Sequence, residues 1–482
     1  MVFIIIFKSY FDINGYLTND STNYLQCVQN LLNGNGYQVL TNSSSSGREF
    51  FAVWPVGYPT VIFTIAKISG LSPFWASKVV NIFLVAIILI IFRLLFKKDA
   101  PIYGVILLFS SYIEIFTYTW SETLFITMLL SFSSLLYLFT TNVKNTNLLY
   151  ASIFISSLLL FSSRYIGAFS FGVIGLLGLY YFFIKREIKK AIILIVIAII
   201  NSIIMILYLH HNYTETGFIT GMPRIASPES TLYLFVLLIK SFVSEILIPI
   251  ENITSENFKL ALFIFILQFS ILALFVKKYY NSMIVKSTLD SKSRLFIILF
   301  SSIGLLYLFF IIIMRWLTQF DQYNYRLLGP GSFLLFIAMI YYLKHKTSLE
   351  FFTVFKKVFI GLALFSYILN ISLTLWHYNE TKINYAKNID TIKNRFNAID
   401  KESIVIFAPN HLRYLYADIN IKLPYSLPYD PYKETWSDFI NRIKSEKDIY
   451  LFVAEKKLDE QNYDSSVINF LNKFEKKSLT KL

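Results

Sequence analysis

The chain has 482 residues, of which 55% are hydrophobic and only 15% are charged, whereas about a quarter of the residues of a soluble protein are charged. This composition excludes an ordinary soluble protein with one large core. The formal net charge of +14 does not indicate nucleic-acid binding, because lysine and arginine cluster between apolar blocks, as membrane topology signals do.

The predicted elements begin with an apolar segment, Met1 to Phe7, which is too short to cross a bilayer and is interpreted as part of a first helix. Longer apolar segments follow it along the chain. They lie near 75–96, 101–118, 120–140, 147–163, 165–184, 190–209, 258–276, 295–314, 327–343 and 354–376. The predicted fold class is an all-α polytopic membrane protein with about eleven transmembrane helices.

The charges between these segments predict the orientation of the chain. Lysine and arginine are concentrated on alternate loops, which the positive-inside rule assigns to the cytoplasm. The opposite side contains a first outer loop, 8–74, and a second large loop, 210–257. The acidic residues on that side are Asp20, Glu122, Glu245, Glu251 and Asp321. Residues 1–377 are therefore predicted to form one membrane module whose long loops are extracytoplasmic.

Two apolar stretches in the outer loops are predicted to lie in the membrane interface without crossing it. In 51–70, prolines and glycines interrupt the helical pattern, and Trp54 and Tyr58 are residue types that favour the interface. The stretch 231–250 is amphipathic and is interrupted by two charged residues.

The composition changes abruptly after Trp376. Residues 404–407 and 449–453 are predicted strands, and a helical stretch near 436–444 lies between them. We therefore expect residues 378–482 to form a small extracytoplasmic α/β domain, which we interpret as a lid or an acceptor-docking module.

Asp20 is the first candidate for chemistry in the outer loops. Behind it, an apolar stripe that includes Tyr24 predicts a short helix, and Gly34 and Gly36 are expected to end that helix. The position fits either an acid that faces the outer membrane surface or a plain helix N-cap, since aspartate is a favoured cap residue.

Glu122 is the second candidate, at the outer turn between two predicted spans. Asp20 and Glu122 together are expected to form an acidic cleft that deprotonates a hydroxyl acceptor, because a carboxylate partly withdrawn from water is a better base. The alternative for Glu122 is a carboxylate that stabilises a helix start through the helix dipole. Glu114, deeper in the membrane, is expected to pack as a buried polar residue.

Arginines on the same side are candidates for binding phosphate, because the planar guanidinium forms paired hydrogen bonds with phosphate oxygens. The predicted phosphate-binding residues are Arg164, Arg224 and Arg326. The alternative is snorkelling to lipid headgroups, which is the expected role of Arg315. His210 and His211 do not predict a metal site, because adjacent helical side chains diverge and no third ligand has suitable spacing.

Several motifs follow one another along the predicted outer side. They are Asp20 with Tyr24 and the asparagine- and glycine-rich stretch 30–37, Trp54-Pro-Val-Gly-Tyr-Pro59, Lys78-Val-Val-Asn81, Trp120-Ser-Glu122, Ser163-Arg-Tyr-Ile-Gly167 and Tyr325-Arg-Leu-Leu-Gly-Pro330. In this order they resemble the motifs of GT-C class membrane glycosyltransferases, of the kind that includes protein O-mannosyltransferases and aminoarabinose transferases (families 39 and 83). The resemblance covers residues 12–345.

The resemblance implies that Asp20 activates or positions the acceptor and that Glu122 is the second acidic residue of the site. It also implies that Arg164 and Arg326 present positive charge to a polyprenyl-phosphate donor. The residues assigned to the acceptor loop are Tyr24, Trp54 and Tyr58. Many members have Asp-Glu where this chain has Asp20-Ser21, and several have Lys-Pro in place of Trp54-Pro55, which removes one expected phosphate contact.

The implied reaction is a single-displacement transfer with inversion. A polyprenyl-phosphate sugar enters from the bilayer, and the acceptor hydroxyl belongs to a cell-surface glycan, a lipid or a protein. No obligatory cofactor or metal is implied; a divalent cation held by Asp20 and Glu122 is the alternative. The implied location is the bacterial cytoplasmic (inner) membrane, with the active site facing the periplasm or the exterior.

Three other functions compete with this one. A transporter or flippase of lipid-linked saccharides predicts internal repeats and broken helices in its two halves, and the sequence has no two-fold repeat. A membrane acyltransferase needs a His–Asp constellation on one face, which the sequence does not offer. A non-catalytic assembly protein is the third alternative.

Overall fold

The structure is a computed structural model. It describes residues 1–12, 15–40, 48–141, 146–222, 224, 226–227, 229–246, 248, 258–283, 289–318, 320, 323–397 and 399, together with 404–406, 420–422, 449–452 and 479–481. The acidic residues Glu251 and Asp321 and the predicted helix near 436–444 lie outside the described residues.

Helices dominate the described residues. In chain order they are α1 (Val2–Phe11), α2 (Asn19–Leu32), α3 (Gly57–Ser69), α4 (Pro73–Phe96), α5 (Ala100–Gly104), α6 (Ser110–Thr117), α7 (Glu122–Thr140), α8 (Thr146–Ser163), α9 (Phe169–Phe183), α10 (Ile188–Thr216), α11 (Thr231–Ile246), α12 (Phe258–Met283), α13 (Ser291–Leu317), α14 (Tyr325–Lys346) and α15 (Leu349–Asn397). Short 3-10 turns join neighbouring helices at Lys97–Asp99, Val105–Leu108 and Tyr165–Ala168.

Within the described part of the chain, eight helical segments are long and apolar enough to cross a membrane. They are Pro73–Leu108, Glu122–Thr140, Tyr165–Phe183, Ile188–Thr216, Leu262–Tyr279, Ser291–Leu317, Tyr325–Lys346 and Leu349–Trp376. Shorter apolar helical segments are Val2–Phe11, Asn147–Ser163 and Thr231–Val243. The predicted class of an all-α polytopic membrane protein is confirmed.

The predicted span at 101–118 is broken in the structure. α5 and a 3-10 turn occupy its first half, and Phe109 has an extended backbone (φ −68°, ψ 145°) before α6 begins. At the break, the Ser110 amide donates a hydrogen bond to the Ile248 carbonyl oxygen (2.9 Å). This bond replaces a helical one. The break falls where the apolar run 105–109 meets Ser110 and Ser111, and two serines do not by themselves distinguish a break from a continuous apolar helix.

The chain forms two compact units. The first contains 1–6, 79–208 and 226–373, and the second contains 7–78, 209–225 and 374–482. The predicted domain boundary at residue 377 falls inside α15, which continues as one helix to Asn397. Three of the predicted site residues, Glu122, Arg164 and Arg326, fall in the first unit, and the other five fall in the second.

In the first unit, α13 packs along α14 and α7 packs along α8. α13 and α14 approach each other closely at glycine: a Cβ atom on Gly331 would lie 2.6 Å from the Leu308 side chain and 2.9 Å from the Gly304 carbonyl oxygen. Buried aromatic rings connect this pair to α7, since the rings of Tyr307 and Phe125 are 5.3 Å apart. This packing holds the start of α14 near the start of α7.

In the second unit, α2 is the helix predicted behind Asp20. Thr18 caps it, since its side chain accepts a hydrogen bond from the Ser21 amide (3.4 Å). Asp20 lies in the first turn, so its interpretation as a plain N-cap is wrong; threonine and aspartate both suit that position. The helix ends at Leu32 with Asn33 as its C-cap, and Gly34 follows with a left-handed backbone (φ 78°), as predicted.

α3 occupies the predicted interfacial stretch 51–70. It begins at Gly57 and contains Pro59 in its first turn, where a missing N–H does not interrupt the helix. It ends at Ser69, and the C-cap residue Gly70 has a φ of 68°, which is favourable for glycine. With 13 residues, α3 is too short to cross a bilayer. Before it, a two-stranded antiparallel ribbon is formed by β1 (Gln38–Leu40) and β2 (Arg48–Phe50).

Four strands near the C-terminus form one sheet. They are β3 (Ile404–Ile406), β4 (Asn420–Lys422), β5 (Ile449–Phe452) and β6 (Leu479–Lys481), in the order β4-β3-β5-β6. β3 pairs in parallel with β4 and β5, and β5 pairs antiparallel with β6. The strands expected at 404–407 and 449–453 coincide with β3 and β5. Parallel neighbours require crossover connections, which are typical of an α/β unit.

Candidate active site

The buried carboxylate of Glu122 is the centre of the candidate site. Glu122 is the first residue of α7, and its side chain has no exposed surface. Its Oε1 atom contacts two guanidinium groups, through Nη1 of Arg164 and Nε of Arg326. These three residues, here called the Glu122 cluster, are three of the side chains that the sequence motifs predicted to share a site.

The turn before α7 is held by Asn81 of α4, which is fully buried. Asn81 Nδ2 donates hydrogen bonds to the carbonyl oxygens of Phe116 (2.9 Å) and Tyr118 (2.8 Å). Its Oδ1 atom accepts a hydrogen bond from the Thr123 hydroxyl (3.1 Å). The Asn81 side-chain amide thus satisfies carbonyl groups that have no helical partner at the end of α6. It also fixes the position of Glu122 at the beginning of α7.

Arg164 stands between α8 and the 3-10 turn Tyr165–Ala168, with an extended backbone (φ −152°, ψ 138°). The turn is tight because Gly167 packs directly on α8: a Cβ atom there would lie 2.3 Å from the Leu160 carbonyl group. The Gly167 amide donates to the Arg164 carbonyl oxygen (2.8 Å). Glycine is therefore required in this motif so that Arg164 can face Glu122.

Arg326 lies in the first turn of α14. The side chain of Asn324 caps this helix by accepting a hydrogen bond from the Leu327 amide (3.1 Å). A guanidinium at a helix N-terminus opposes the helix dipole, so the neighbouring Glu122 supplies a compensating charge. The face of Trp120 covers the group, with Arg326 Cζ 4.6 Å from the ring centroid.

The Glu122 cluster has a net positive charge, because one carboxylate faces two guanidinium groups. The Arg326 side chain is 9% exposed and that of Arg164 is 16% exposed, so both guanidinium groups are nearly withdrawn from solvent. A cluster of this kind suits an anion, and the guanidinium fork suits phosphate in particular. It does not suit a divalent cation at Glu122, because the two guanidinium groups repel one.

The contacts of Glu122 differ from those expected of a proton acceptor. Its Oε1 atom is occupied by both guanidinium groups, and its Oε2 atom lies 3.5 Å from the Ser121 hydroxyl. Neither oxygen is presented to solvent, since the side chain has no exposed surface. The geometry favours a role in which Glu122 holds the two arginines in place.

Asp20 and the predicted aromatic residues belong to the second unit. Asp20 is partly buried, and Tyr24 follows one turn later in α2. The Tyr24 ring lies 5.6 Å from the ring of Trp54 and 5.3 Å from that of Tyr58. Tyr24 and Tyr58 are fully buried, whereas Trp54 is partly exposed. The structure thus brings the three aromatic residues together. The buried ring of Tyr24, in α2, packs against the buried ring of Tyr58, in α3.

The other two arginines considered above, Arg224 and Arg315, bind partners that do not belong to the Glu122 cluster. Arg224 is exposed, belongs to the second unit and donates through Nε to the Thr220 hydroxyl (2.9 Å). Arg315 is only 1% exposed; its Nη2 lies 2.6 Å from Glu229 Oε1 and its Nη1 donates to Ser227 Oγ (3.1 Å). The predicted snorkelling of Arg315 to lipid headgroups is therefore wrong, because an internal ion pair satisfies its charge.

Several residues that position the site were missed by sequence reasoning. Tyr307 of α13 is fully buried and donates its hydroxyl to the Leu327 carbonyl oxygen (2.9 Å) in the first turn of α14. Asn81 was recognised only as part of a motif, and Glu245 only as an outer acidic residue. A polar side chain in the middle of an apolar segment is the available signal, because buried polar groups require partners.

Within the described residues, no group of three or more His, Cys, Asp or Glu side chains is arranged to hold a metal ion. The contacts that hold the candidate site together are the ion pairs of the Glu122 cluster and the hydrogen bonds of Asn81, Asn324 and Tyr307. Each joins residues that are distant in sequence or caps a helix that carries a site residue.

No family model and no curated protein sequence matches the chain. Among solved structures, ArnT from Cupriavidus metallidurans in the apo state is 10% identical, with 90% of this chain and 88% of that chain covered and a TM-score of 0.45. The same protein bound to undecaprenyl phosphate is 10% identical, with coverage of 94% and 91% and a TM-score of 0.47.

A third similar structure is the archaeal oligosaccharyltransferase AglB from Archaeoglobus fulgidus in complex with an inhibitory peptide and a dolichol-phosphate. It is 10% identical, with 90% of this chain and 65% of that chain covered and a TM-score of 0.45. The chain is thus similar to membrane glycosyltransferases of the GT-C class, which is the resemblance predicted from its motifs.

Proposed function

We propose that the chain is a membrane glycosyltransferase that moves a sugar from a polyprenyl-phosphate donor to a hydroxyl acceptor on the extracytoplasmic side of a bacterial cytoplasmic membrane. The Glu122 cluster is the observation that carries this proposal. It holds two guanidinium groups close together and nearly out of water, and such an arrangement suits the phosphate of a lipid donor.

The charge of the cluster matches the charge that develops in the reaction. The donor is a phosphodiester with one negative charge. When the bond between the anomeric carbon and the phosphate oxygen breaks, the oxygen keeps the electron pair and the leaving polyprenyl phosphate gains a second negative charge. Arg164 and Arg326 attract this charge more strongly as it forms, which is the condition for stabilising a transition state.

The acceptor oxygen forms its new bond to the anomeric carbon on the face opposite the leaving phosphate, so the configuration is inverted. The proton of the acceptor hydroxyl must pass to a base, and the sequence resemblance assigns this role to Asp20. Asp20 lies in the first turn of a capped helix, and its side chain is partly buried. Glu122 then serves as the residue that holds the two arginines.

The test uses purified protein in liposomes, supplied with a panel of polyprenyl-phosphate sugars and with envelope extract as the source of acceptors. Mass spectrometry measures released polyprenyl phosphate, because this product forms whichever sugar is transferred. We expect release by the wild type and a loss of about 100-fold or more in Arg326→Gln and Asp20→Asn. The matched control is Arg93→Gln, an exposed arginine in the last turn of α4, with unchanged release.

Two outcomes contradict the proposal. In one, both variants release polyprenyl phosphate as fast as the wild type. In the other, the liposomes move the lipid-linked sugar across the bilayer without any release of polyprenyl phosphate. The second outcome indicates a flippase, which rearranges no covalent bond.

A further inference from the structure

Glu245 is a buried acid outside the Glu122 cluster. It lies in the last turn of α11, where this helix packs on α14, and it is 4% exposed. Its Oε2 atom lies 3.0 Å from the Ser332 hydroxyl oxygen, and its Oε1 atom is buried without a hydrogen-bond partner. Among the described residues, no cation pairs with it. A buried carboxyl group without a counterion needs a physical explanation.

Glu245 belongs to a buried chain of polar groups. The Ser332 hydroxyl oxygen lies 3.2 Å from the hydroxyl oxygen of Tyr112 and 3.2 Å from the Leu328 carbonyl oxygen. Tyr112 is fully buried and donates to the Gly329 carbonyl oxygen (3.2 Å). If Glu245 were ionised, this chain would contain two hydroxyl protons for three acceptors, and one carboxylate oxygen would stay unpaired in apolar surroundings.

A proton on Glu245 supplies the missing donor and removes the buried charge, and Oε1 is then a neutral carbonyl oxygen, which costs less to leave unpaired than a carboxylate oxygen. The Oε2–H group then donates to Ser332, the Ser332 hydroxyl donates to the Leu328 carbonyl oxygen, and Tyr112 donates to the Gly329 carbonyl oxygen. Every hydroxyl proton in the chain has an acceptor, and no buried charge is left unpaired. An apolar site that keeps a carboxylic acid neutral so that it can donate a hydrogen bond is an established device in proteins.

The backbone that this chain holds is the start of α14. Pro330 lies inside the helix and has no N–H, so the carbonyl group of Arg326 lacks its helical hydrogen bond. A Cβ atom on Gly329 would lie 2.8 Å from the Ile115 side chain and 3.9 Å from Glu245 Oε1. The carboxyl group therefore packs directly on a bare turn of α14, one turn after Arg326.

Hydroxyl groups from neighbouring helices bind other carbonyl groups of the same turn. Tyr307 of α13 donates to the Leu327 carbonyl oxygen (2.9 Å), and Tyr112 of α6 donates to that of Gly329. Ser332 is the junction between Tyr112 and Glu245. The orientation of the α14 turn that carries Arg326 toward Glu122 thus depends on this hydrogen-bond network, and Glu245 is its last member.

We infer that Glu245 is a proton-holding positioning residue, which remains a neutral carboxylic acid, donates its proton to Ser332 and thereby fixes the turn of α14 that carries Arg326. The effect of Glu245 on donor binding rests on the proposed function, whereas its protonation state is independent of that function. The protonation state and the effect on binding are therefore tested separately.

The protonation state is tested by infrared spectroscopy of the protein in liposomes at neutral pH. The difference between wild type and Glu245→Gln is expected to show loss of the carbonyl stretching band of a protonated carboxylic acid. The matched control is Glu350→Gln, an exposed acid in the first turn of α15, which is expected to remove only carboxylate bands. If Glu245→Gln also removes only carboxylate bands, the acid is ionised and the inference is wrong.

The positioning role is tested by the affinity for polyprenyl phosphate. Glutamine retains a hydrogen-bond donor, so Glu245→Gln is expected to bind within about twofold of the wild type, whereas Glu245→Ala is expected to bind about twofold to tenfold more weakly. Ser332→Ala removes the acceptor, keeps the carboxyl group and is expected to weaken binding by a similar factor. It serves as the second variant if Glu245→Ala does not fold.

The outcomes separate this inference from the proposed function. If Glu245→Gln binds as weakly as Glu245→Ala, or if Ser332→Ala binds like the wild type, the positioning role is wrong although the protein still binds the lipid phosphate. If the wild type does not bind polyprenyl phosphate, the proposed function fails, and the infrared experiment still decides the protonation state of Glu245.

Discussion

The Glu122 carboxylate and its two arginines are interdependent at the residue scale. Glu122→Gln keeps the shape of the side chain but leaves two guanidinium groups facing each other without a counterion. Because breaking a buried ion pair costs about 3–5 kcal/mol, we expect a clear fall in the Tm of the purified protein. The exposed Glu350→Gln is expected to change stability by less than about 0.5 kcal/mol. Equal Tm values for the two variants would show that the cluster is not held by its charges.

The ion pair between Glu229 and Arg315 predicts a pH dependence. Partial burial raises the pKa of Glu229, but hydrogen bonds from Arg315 and Ser227 outweigh this effect and hold the pKa below its ordinary value. A carboxyl group with a lowered pKa stabilises the folded state above its unfolded pKa, and this contribution is lost as the pH falls through the folded pKa. The Tm difference between wild type and Glu229→Gln is therefore expected to shrink below about pH 4.5.

Thermal unfolding between about pH 7 and pH 3.5 measures this difference. Each variant is compared with the wild type at the same pH, so that other titrating groups cancel. A Tm difference that stays constant over this range would mean that the charge of Glu229 does not stabilise the segment joined to Arg315.

At the scale of elements, the turn after α8 decides whether Arg164 reaches Glu122. Gly167→Ala would place a methyl group 2.3 Å from the Leu160 carbonyl group, so the turn must open and Arg164 must move. We expect loss of most donor binding and lower stability, by about 1–3 kcal/mol. The matched control is Gly172→Ala in α9, where no neighbouring atom lies within 4 Å and alanine is expected to be neutral or stabilising. Normal donor binding by Gly167→Ala would contradict this role of the turn.

The helices that carry the site were predictable, and their irregularities were not. Long apolar runs predicted α7, α13 and α14 with ends close to those observed. The ribbon of β1 and β2 was missed because strands of three residues are too short for an alternating pattern to be recognised. The break before α6 was missed because the two serines after Phe109 are also compatible with a continuous apolar helix.

At the scale of the whole molecule, pairing between distant segments could not be predicted from one sequence. The motifs predicted that Glu122, Arg164 and Arg326 share one side of the membrane. They did not indicate that two arginines meet one carboxylate oxygen, because Arg326 is 204 residues from Glu122 and contact depends on how α8 and α14 pack around α7. For the same reason, Arg315 was assigned to lipid although it pairs with Glu229.

The orientation of the chain remains a prediction of the positive-inside rule. A reporter enzyme that is active only outside the cytoplasm, fused after residue 380, is expected to be active in cells. The same reporter fused after Lys346, at the end of α14, is expected to be inactive, because α15 then separates the two positions. Activity with the opposite pattern would place the Glu122 cluster on the cytoplasmic side and exclude an extracytoplasmic reaction.

Binding of a polyprenyl phosphate to the purified protein tests the central claim most directly. Native mass spectrometry of wild type, Arg326→Gln and Arg93→Gln measures how much lipid stays bound at increasing lipid concentration. The wild type and Arg93→Gln are predicted to bind polyprenyl phosphate, and Arg326→Gln to bind it at least about tenfold more weakly. Equal binding of the phosphate-free polyprenol by the wild type, or undiminished binding of the phosphate by Arg326→Gln, would contradict the account.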